Sequence, residues 1–227
     1  MTLHQFPDLL QDTDEWHDQR RGIITASVVG QFITPKTIRP AANDYSRGLT
    51  ALLVSERITG WTEPVYGSFD MQRGNLDEPI ARDLYSEHFA LNSVTESGFM
   101  VRDDWGFSIG YSPDGLVGDD GLIEIKSRAP KKHLATILAQ EVPLENVAQC
   151  QTALLVSGRK WLDYISYCSG MPLFVIRVIP DIEWHNAILA AVGTFEQNAA
   201  EMINAYNKAI DGLPATDRIQ HFAEMEI

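Results

Sequence analysis

The stretch SPDGLVGDDGLIEIKS, Ser112–Ser127, restricts the fold of this chain more than any other segment. Glycines at both ends of Gly118-Asp119-Asp120-Gly121 supply the backbone freedom of a tight turn, and Asp is a good turn former. The flanking residues then pair as an antiparallel hairpin. With Val117 opposite Leu122, Asp114 falls opposite Ile125 and diagonal to Glu124, within reach of its carboxylate. Side chains alternate along a strand, so Leu122, Glu124 and Lys126 share one face while Ile123 and Ile125 share the other. A short apolar strand thereby aims two carboxylates and an ammonium at one point.

Carboxylates held close repel each other unless positive charge sits between them. A hard divalent cation with oxygen ligands, Mg²⁺ or Mn²⁺, is the usual solution. The Ile125 carbonyl, flanked by Glu124 and Lys126, offers a further oxygen. Such an ion polarises a phosphoryl oxygen and acidifies bound water, while Lys126 orients or deprotonates that water and balances charge developing on phosphorus. The expected product is a hydrolysed phosphodiester. The plain alternative is a surface hairpin whose Glu124 and Lys126 are solvated or paired with each other. Ser-Pro-Asp-Gly at hairpin distance from Glu-Ile-Lys on an interior strand weighs against it.

The remainder of the 227 residues reads as one domain, with no repeat and no long Gly/Ser linker. Helical spacing is expected over 43–58, ended by Gly60, and over 75–89, where Leu76, Ile80 and Leu84 form a stripe that leaves Glu78 pointing elsewhere. Strand-like segments follow at 93–101, 107–112, 122–128, 161–168 and 173–179. Helical patterns occupy 131–140 and 144–157. A long helix runs from about 181 to 211 with Ile188, Val192, Phe195, Ala199, Met202 and Tyr206 on one stripe, followed by a short tail. The fold class is α/β or α+β: a central mixed sheet of about five strands flanked by helices.

No apolar run approaches the roughly 20 residues of a membrane span, and the N-terminus lacks the pattern of a secretory signal. A cytoplasmic protein is expected. Cys150 and Cys168 suit small buried hydrophobes in a reducing compartment rather than a disulfide. Net charge is −13, which on its face opposes nucleic acid as a partner. The sum is unevenly distributed, however: from Asp181 onward two basic residues accompany eight acidic ones. Arg20, Arg21, Arg128, Lys131, Lys132, Arg159 and Lys160 come in local clusters expected to line a single groove. Trp16 and Trp161 are expected in the core, and the histidines show no metal-ligand spacing.

WHDQRRGIITASVVGQFI adds a second clue. Thr25 and Ser27 precede the apolar pattern Val28, Val29, Phe32, so either is a plausible helix N-cap. A helix N-terminus attracts phosphate, and Arg20 or Arg21 is close enough in sequence to clamp the same anion.

SPDGLVGDDGLIEIK resembles the PD-(D/E)xK nuclease motif, and the wider pattern resembles the phage lambda-type exonuclease family, the YqaJ-like viral recombinases. WHDQRRGIITAS at 16–27, RGNLDEPIARDLY at 73–85 and NVAQCQTALLVSGRKWLDYISY at 146–167 follow the family's order and approximate gaps. The likeness spans about residues 15 to 180. It implies metal ligation by Asp114, Glu124 and the Ile125 carbonyl, with Lys126 positioning the attacking water. Glu78 matches the family's acidic residue on the preceding helix, and Gln149 a glutamine bordering the active site. Arg20, favoured over Arg21 by its spacing to Gly22, and the hydroxyls of Thr25 and Ser27 match the group that binds a terminal 5′-phosphate.

The activity so implied is a Mg²⁺-dependent 5′ to 3′ exonuclease on double-stranded DNA, releasing mononucleotides and leaving 3′ single strands for recombination. The resemblance further implies a ring of three subunits threaded by the duplex and a single-strand annealing protein as partner. Two other readings stay open on the sequence: a structure- or sequence-specific endonuclease, and a catalytically silent DNA clamp.

Overall fold

The computed structural model describes residues 2–63, 67–89 and 93–219. In chain order its elements are β1 (Leu3–Phe6), α1 (Asp14–Arg20), β2 (Ile24–Thr25), a 3-10 turn (Val29–Phe32), β3 (Ile33–Thr34), β4 (Arg39–Pro40), α2 (Asp44–Thr59) and α3 (Phe69–His88). There follow β5 (Val94–Thr95), β6 (Phe99–Arg102), β7 (Ile109–Tyr111), β8 (Gly115–Val117), β9 (Gly121–Ser127), α4 (Pro130–Ala139), α5 (Leu144–Ser157), β10 (Trp161–Tyr167), β11 (Phe174–Val178) and α6 (Ile182–Ala209).

A mixed five-stranded sheet is present, in the order β11-β10-β9-β8-β5, but Gly115–Val117 stands where 107–112 was expected, and Ile109–Tyr111 joins another sheet. Within this sheet β9 and β10 run parallel, joined by the crossover through α4 and α5, and its other described pairs are antiparallel. A second, four-stranded sheet in the order β1-β6-β7-β2 departs from the expectation. It arises because the segment 93–101 divides. Val94–Thr95 pairs with β8, whereas Phe99–Arg102 pairs with β1 and β7. Between them the Gly98 N–H donates to the Pro7 carbonyl at 3.0 Å, which pins the crossing point to the N-terminal strand.

The hairpin register differs from the expected one by a single residue. Val117 lies opposite Gly121, Leu116 opposite Leu122 and Gly115 opposite Ile123. Gly118 takes a left-handed φ of 52°, so the loop closes one residue tighter than a turn running from Gly118 to Gly121. Continued by one step, this register sets Asp114 across from Glu124 itself.

Strand β9 divides the apolar interior. Leu122 joins a core with Leu162, Tyr164, Leu154, Ile188 and Phe195, whereas Ile123 and Ile125 pack with Ala81, Tyr85, Ile165 and Val117. The alternation read from the sequence is therefore the seam between two cores. Each fully buried aliphatic side chain along it contributes about 1.5–3 kcal/mol.

Helix α2 begins at an Asn43 capping box and ends at Gly60, as its pattern requires. Helix α3 starts before the expected 75 and buries a different face. Ala81 and Tyr85 are buried, while Leu76 and Ile80 are 74% and 49% exposed. The small Ala81 admits the helix to the Ile123 and Ile125 face, and the Tyr85 hydroxyl reaches buried Asp163 at 2.7 Å. Those two contacts, rather than the Leu/Ile stripe, set the rotation of the helix. In α6 the stripe is buried from Ile188 to Ala199, then emerges at Met202 and Tyr206. Cys150 and Cys168 are free and buried, as expected.

Candidate active site

Glu124 stands on β9 with its side chain 1% exposed, facing α5 and a lysine two residues on. Its Oε1 accepts from Lys126 Nζ at 2.7 Å and from Gln149 Nε2 at 2.5 Å. Its Oε2 is buried with no hydrogen-bond partner, a costly condition for a carboxylate oxygen unless a cation or water meets it. Asp114, just before β8, accepts from the Ile125 N–H through Oδ2 at 2.6 Å. The backbone of β9 thus fixes the Asp114 carboxylate, while the side chains of Lys126 and Gln149 fix that of Glu124.

Glu78 also belongs to the site, because the rotation of α3 brings it to the inner face. Arg82, one turn along, donates to Glu78 Oε1 and, through Nε, to the Asp114 carbonyl at 2.8 Å. Its remaining nitrogen pairs with Glu96 at 2.7 Å. One guanidinium therefore ties an acidic side chain of α3 to the backbone of the Asp114 turn. Glu78, Arg82 and Pro113 open onto a cleft of about 660 Å³ whose opposite wall is the loop from Pro7 to Asp12.

The electrostatics follow from this crowding. Burial raises the Asp114 pKa well above the ordinary carboxylate range, and Glu124 and Glu78 add to it against Lys126 and the Ile125 N–H. Burial also raises Glu78, opposed by Arg82 and reinforced by Glu124 and Glu96. Burial disfavours the Lys126 charge, yet Glu124 and Asp114 outweigh it and lift that pKa above its usual value. Nearby Tyr111 and Cys150 are raised by burial and then by Glu124, so both stay protonated.

Among the described residues no three His, Cys, Asp or Glu side chains converge as a ready-made metal cage. The donors that do converge nonetheless suit a hard cation that keeps part of its water shell. An unpartnered, fully buried Glu124 oxygen, and the Asp114 and Glu78 carboxyls that burial and the neighbouring Glu124 both raise, call for positive charge.

The second cluster is assembled at the end of α1. Arg20 lies over the Trp16 ring, 3.7 Å from its centroid. Its guanidinium donates to Thr25 Oγ1 at 3.5 Å and to Ser27 Oγ at 3.4 Å, and the two hydroxyls are 3.0 Å apart. Arg21 turns away to pair with Asp18, so Arg20 is the arginine that meets the two hydroxyls. Burial lowers the Arg20 pKa while Asp12 and Glu56 oppose the shift. The expected N-cap is corrected: Thr25 lies in β2, Val28 precedes the 3-10 turn, and no side chain caps it. Arginine and hydroxyls, not a helix dipole, make this pocket. Trp16 is buried as expected and its Nε1 donates to Ser112 Oγ at 3.1 Å, joining the pocket to the turn that carries Asp114.

The expected basic groove is also corrected. Arg128 is buried against the Tyr164 hydroxyl at 2.7 Å, with Glu145 and Asn146 beside it. Arg159 donates to the carbonyls of Gly118 and Gly121 at 2.7 and 2.8 Å. Arg128 thus ties β10 to α5 and Arg159 holds the hairpin loop, while Lys131 and Lys132 stay exposed. Sequence reasoning missed Arg82, although its i,i+4 spacing to Glu78 was a usable signal, and missed Ser112 as the partner of Trp16.

A family model described as the YqaJ-like viral recombinase domain matches residues 15–160. The chain belongs to the YqaJ-like viral recombinase family. The carboxylate–lysine cluster and the Arg20 cluster fall within the matched span of this recombinase domain, and the Pro7–Asp12 wall of the cleft precedes it. The chain is 32% identical to an alkaline exonuclease, LHK-Exo, from Laribacter hongkongensis, over 89% of this chain and 100% of that one, with a TM-score of 0.78. The same exonuclease, solved in complex with dAMP, matches equally well. A phage related exonuclease from Haemophilus somnus 129PT shares the fold at a TM-score of 0.62 and 14% identity, over 81% of this recombinase-family chain and 96% of its own. Among curated proteins no relative matches. The architecture is that of PD-(D/E)xK nucleases.

Proposed function

We propose that this recombinase-family chain is a metal-dependent exonuclease that digests double-stranded DNA 5′ to 3′ from phosphorylated ends. It releases mononucleotides and leaves a 3′ single strand for recombination by annealing. The observation that carries the reading is the Trp16–Ser112 hydrogen bond, which couples an arginine–hydroxyl pocket to the turn bearing Asp114. A site that reads a terminal phosphate and a site that cleaves a phosphodiester are parts of one piece of structure. The kinship with an alkaline exonuclease, and the dAMP held by that relative, support the same chemistry.

Asp114, Glu124 and the Ile125 carbonyl would hold Mg²⁺ or Mn²⁺, with Glu78 at the margin. The ion supplies Lewis acidity toward a phosphoryl oxygen and toward bound water. Lys126, 2.7 Å from Glu124 Oε1, donates hydrogen bonds to the attacking water, whose proton is released as it adds, and to charge building on phosphorus. Gln149 fixes the Glu124 rotamer through Oε1. Water adds to phosphorus, the bond to the 3′-oxygen breaks, and that oxygen leaves as a hydroxyl. The next nucleotide then carries a new 5′-phosphate, which is what Arg20, Thr25 and Ser27 would bind in the following cycle.

By family kinship the working form is a homotrimeric ring around the duplex in the bacterial host cytoplasm, and its partner a single-strand annealing protein. Among the described residues no helix is long and apolar enough to cross a membrane. The test compares linear 5′-phosphorylated, linear dephosphorylated and closed circular duplexes with and without Mg²⁺. Rapid loss of the phosphorylated duplex alone is expected. Cutting of circles, or no Mg²⁺-dependent hydrolysis, would overturn the reading.

A further inference from the structure

The acidic C-terminal helix lies outside the matched family span, yet one of its carboxylates reaches toward the end-recognition loop. Arg57 on α2 grips Glu196 of α6 with both terminal nitrogens, each bond 2.7 Å. Its Nε donates to the Gly22 carbonyl at 2.6 Å. On the other side of that residue the Gly22 N–H donates to Glu56 Oε2 at 2.8 Å. Both backbone polar groups of Gly22 are therefore held by consecutive residues of α2, two positions after Arg20.

The fit at Gly22 leaves no slack. Its φ is +69°, and a Cβ there would meet Arg57 Cγ at 2.4 Å. The Arg57 guanidinium also lies 5.0 Å from the centroid of the Phe195 ring. Arg57 and Glu196 are each only 26% exposed, so the planar fork is shielded and its direction is set by α6. A bidentate guanidinium–carboxylate pair fixes orientation as well as distance. Here that orientation passes to a glycine carbonyl, and from it to the chain that aims Arg20 at Thr25 and Ser27.

We propose that Glu196 is a positioning residue for end recognition, acting through Arg57 and Gly22 to hold Arg20 in its phosphate-reading pose. The C-terminal helix thereby sets how strictly the enzyme selects a 5′-phosphate. The inference rests on the assignment of the Arg20 pocket to a terminal phosphate.

The test uses the full-length protein on blunt duplexes that differ only in a 5′-phosphoryl or 5′-hydroxyl end. Glu196→Gln keeps the shape and one acceptor but breaks half of the fork, and Arg57→Lys keeps the charge without the fork. Glu201→Gln, on an exposed position of the same helix, is the control. The ratio of kcat/KM on phosphorylated to hydroxyl ends should fall about tenfold in the first two variants, chiefly through KM on the phosphorylated end, as for losing one charge-assisted contact. The control should keep the parental ratio.

A merely structural brace would lower both activities together, or only the Tm, and leave the ratio unchanged; that result overturns the proposal. Should one variant fail to fold, the other carries the same reading. A parent protein that treats both ends alike would instead refute the phosphate assignment on which the inference rests, so the two failures are distinguishable.

Discussion

Lys126 keeps its charge although burial opposes it, because Glu124 and Asp114 supply more attraction than desolvation removes. Lys126→Ala should therefore lower kcat by about 10²–10³-fold, while duplex binding measured by anisotropy in Ca²⁺ stays near the parental value. Near-parental turnover would remove Lys126 from the chemistry. Asp114 and Glu78 are raised, so the folded protein binds their protons more tightly than the unfolded chain does. That contribution is complete below the ordinary carboxylate pKa and is lost as pH rises through the raised values. Without divalent cation the Tm should fall as pH is raised above the ordinary carboxylate range, and added Mg²⁺ should restore more of it at a higher pH than at a lower one. Equal gains at both would argue against a shared cation site. Asp114→Asn keeps an acceptor for the Ile125 N–H while removing the repulsion. It should abolish hydrolysis yet raise the cation-free Tm by roughly 2–4 °C, the shift that about 1 kcal/mol produces in a chain of this size.

Helix α3 shows what can be read from sequence at the level of elements and what cannot. Its existence follows from its periodicity, but its rotation depends on Ala81 fitting β9 and on Tyr85 meeting Asp163, contacts set by residues far along the chain. Of the Leu76, Ile80 and Leu84 stripe only Leu84 therefore packs against the core, while Leu76 and Ile80 face outward. Strand β9 was legible because a period of two does not depend on its partner, whereas its register turned on how tightly Gly118 closes the loop. Thr25 and Ser27 were correctly grouped with Arg20, for a reason the structure replaces: hydroxyls beside a guanidinium rather than a helix cap. Arg82 belongs to the same lesson, since its tie to the Asp114 carbonyl spans 32 positions. Arg82→Ala should reduce kcat by about tenfold or more with KM little changed, and Arg82→Lys should not restore it, since one ammonium cannot serve a carbonyl and two carboxylates in a plane. Steady-state kinetics on phosphorylated duplex, with Mg²⁺ titrations by calorimetry, would check this.

Across the whole molecule, the net charge of −13 coexists with arginines spent on internal braces, Arg57, Arg128 and Arg159 among them. These arginines are withdrawn from contact with a phosphate backbone. DNA affinity should depend weakly on salt, with a log–log slope of about −2 to −4 where each phosphate contact contributes about −0.9. A slope near −10 would reveal a broad basic surface and contradict a grip made at the end. The two cores that meet along β9 carry a consequence for motion. Amides from Leu122 to Ile125 have no local opening available to them, because lifting the strand empties both sides at once. Their hydrogen exchange should follow the global unfolding free energy, which would make the strand that carries Glu124 and Lys126 also the last to breathe.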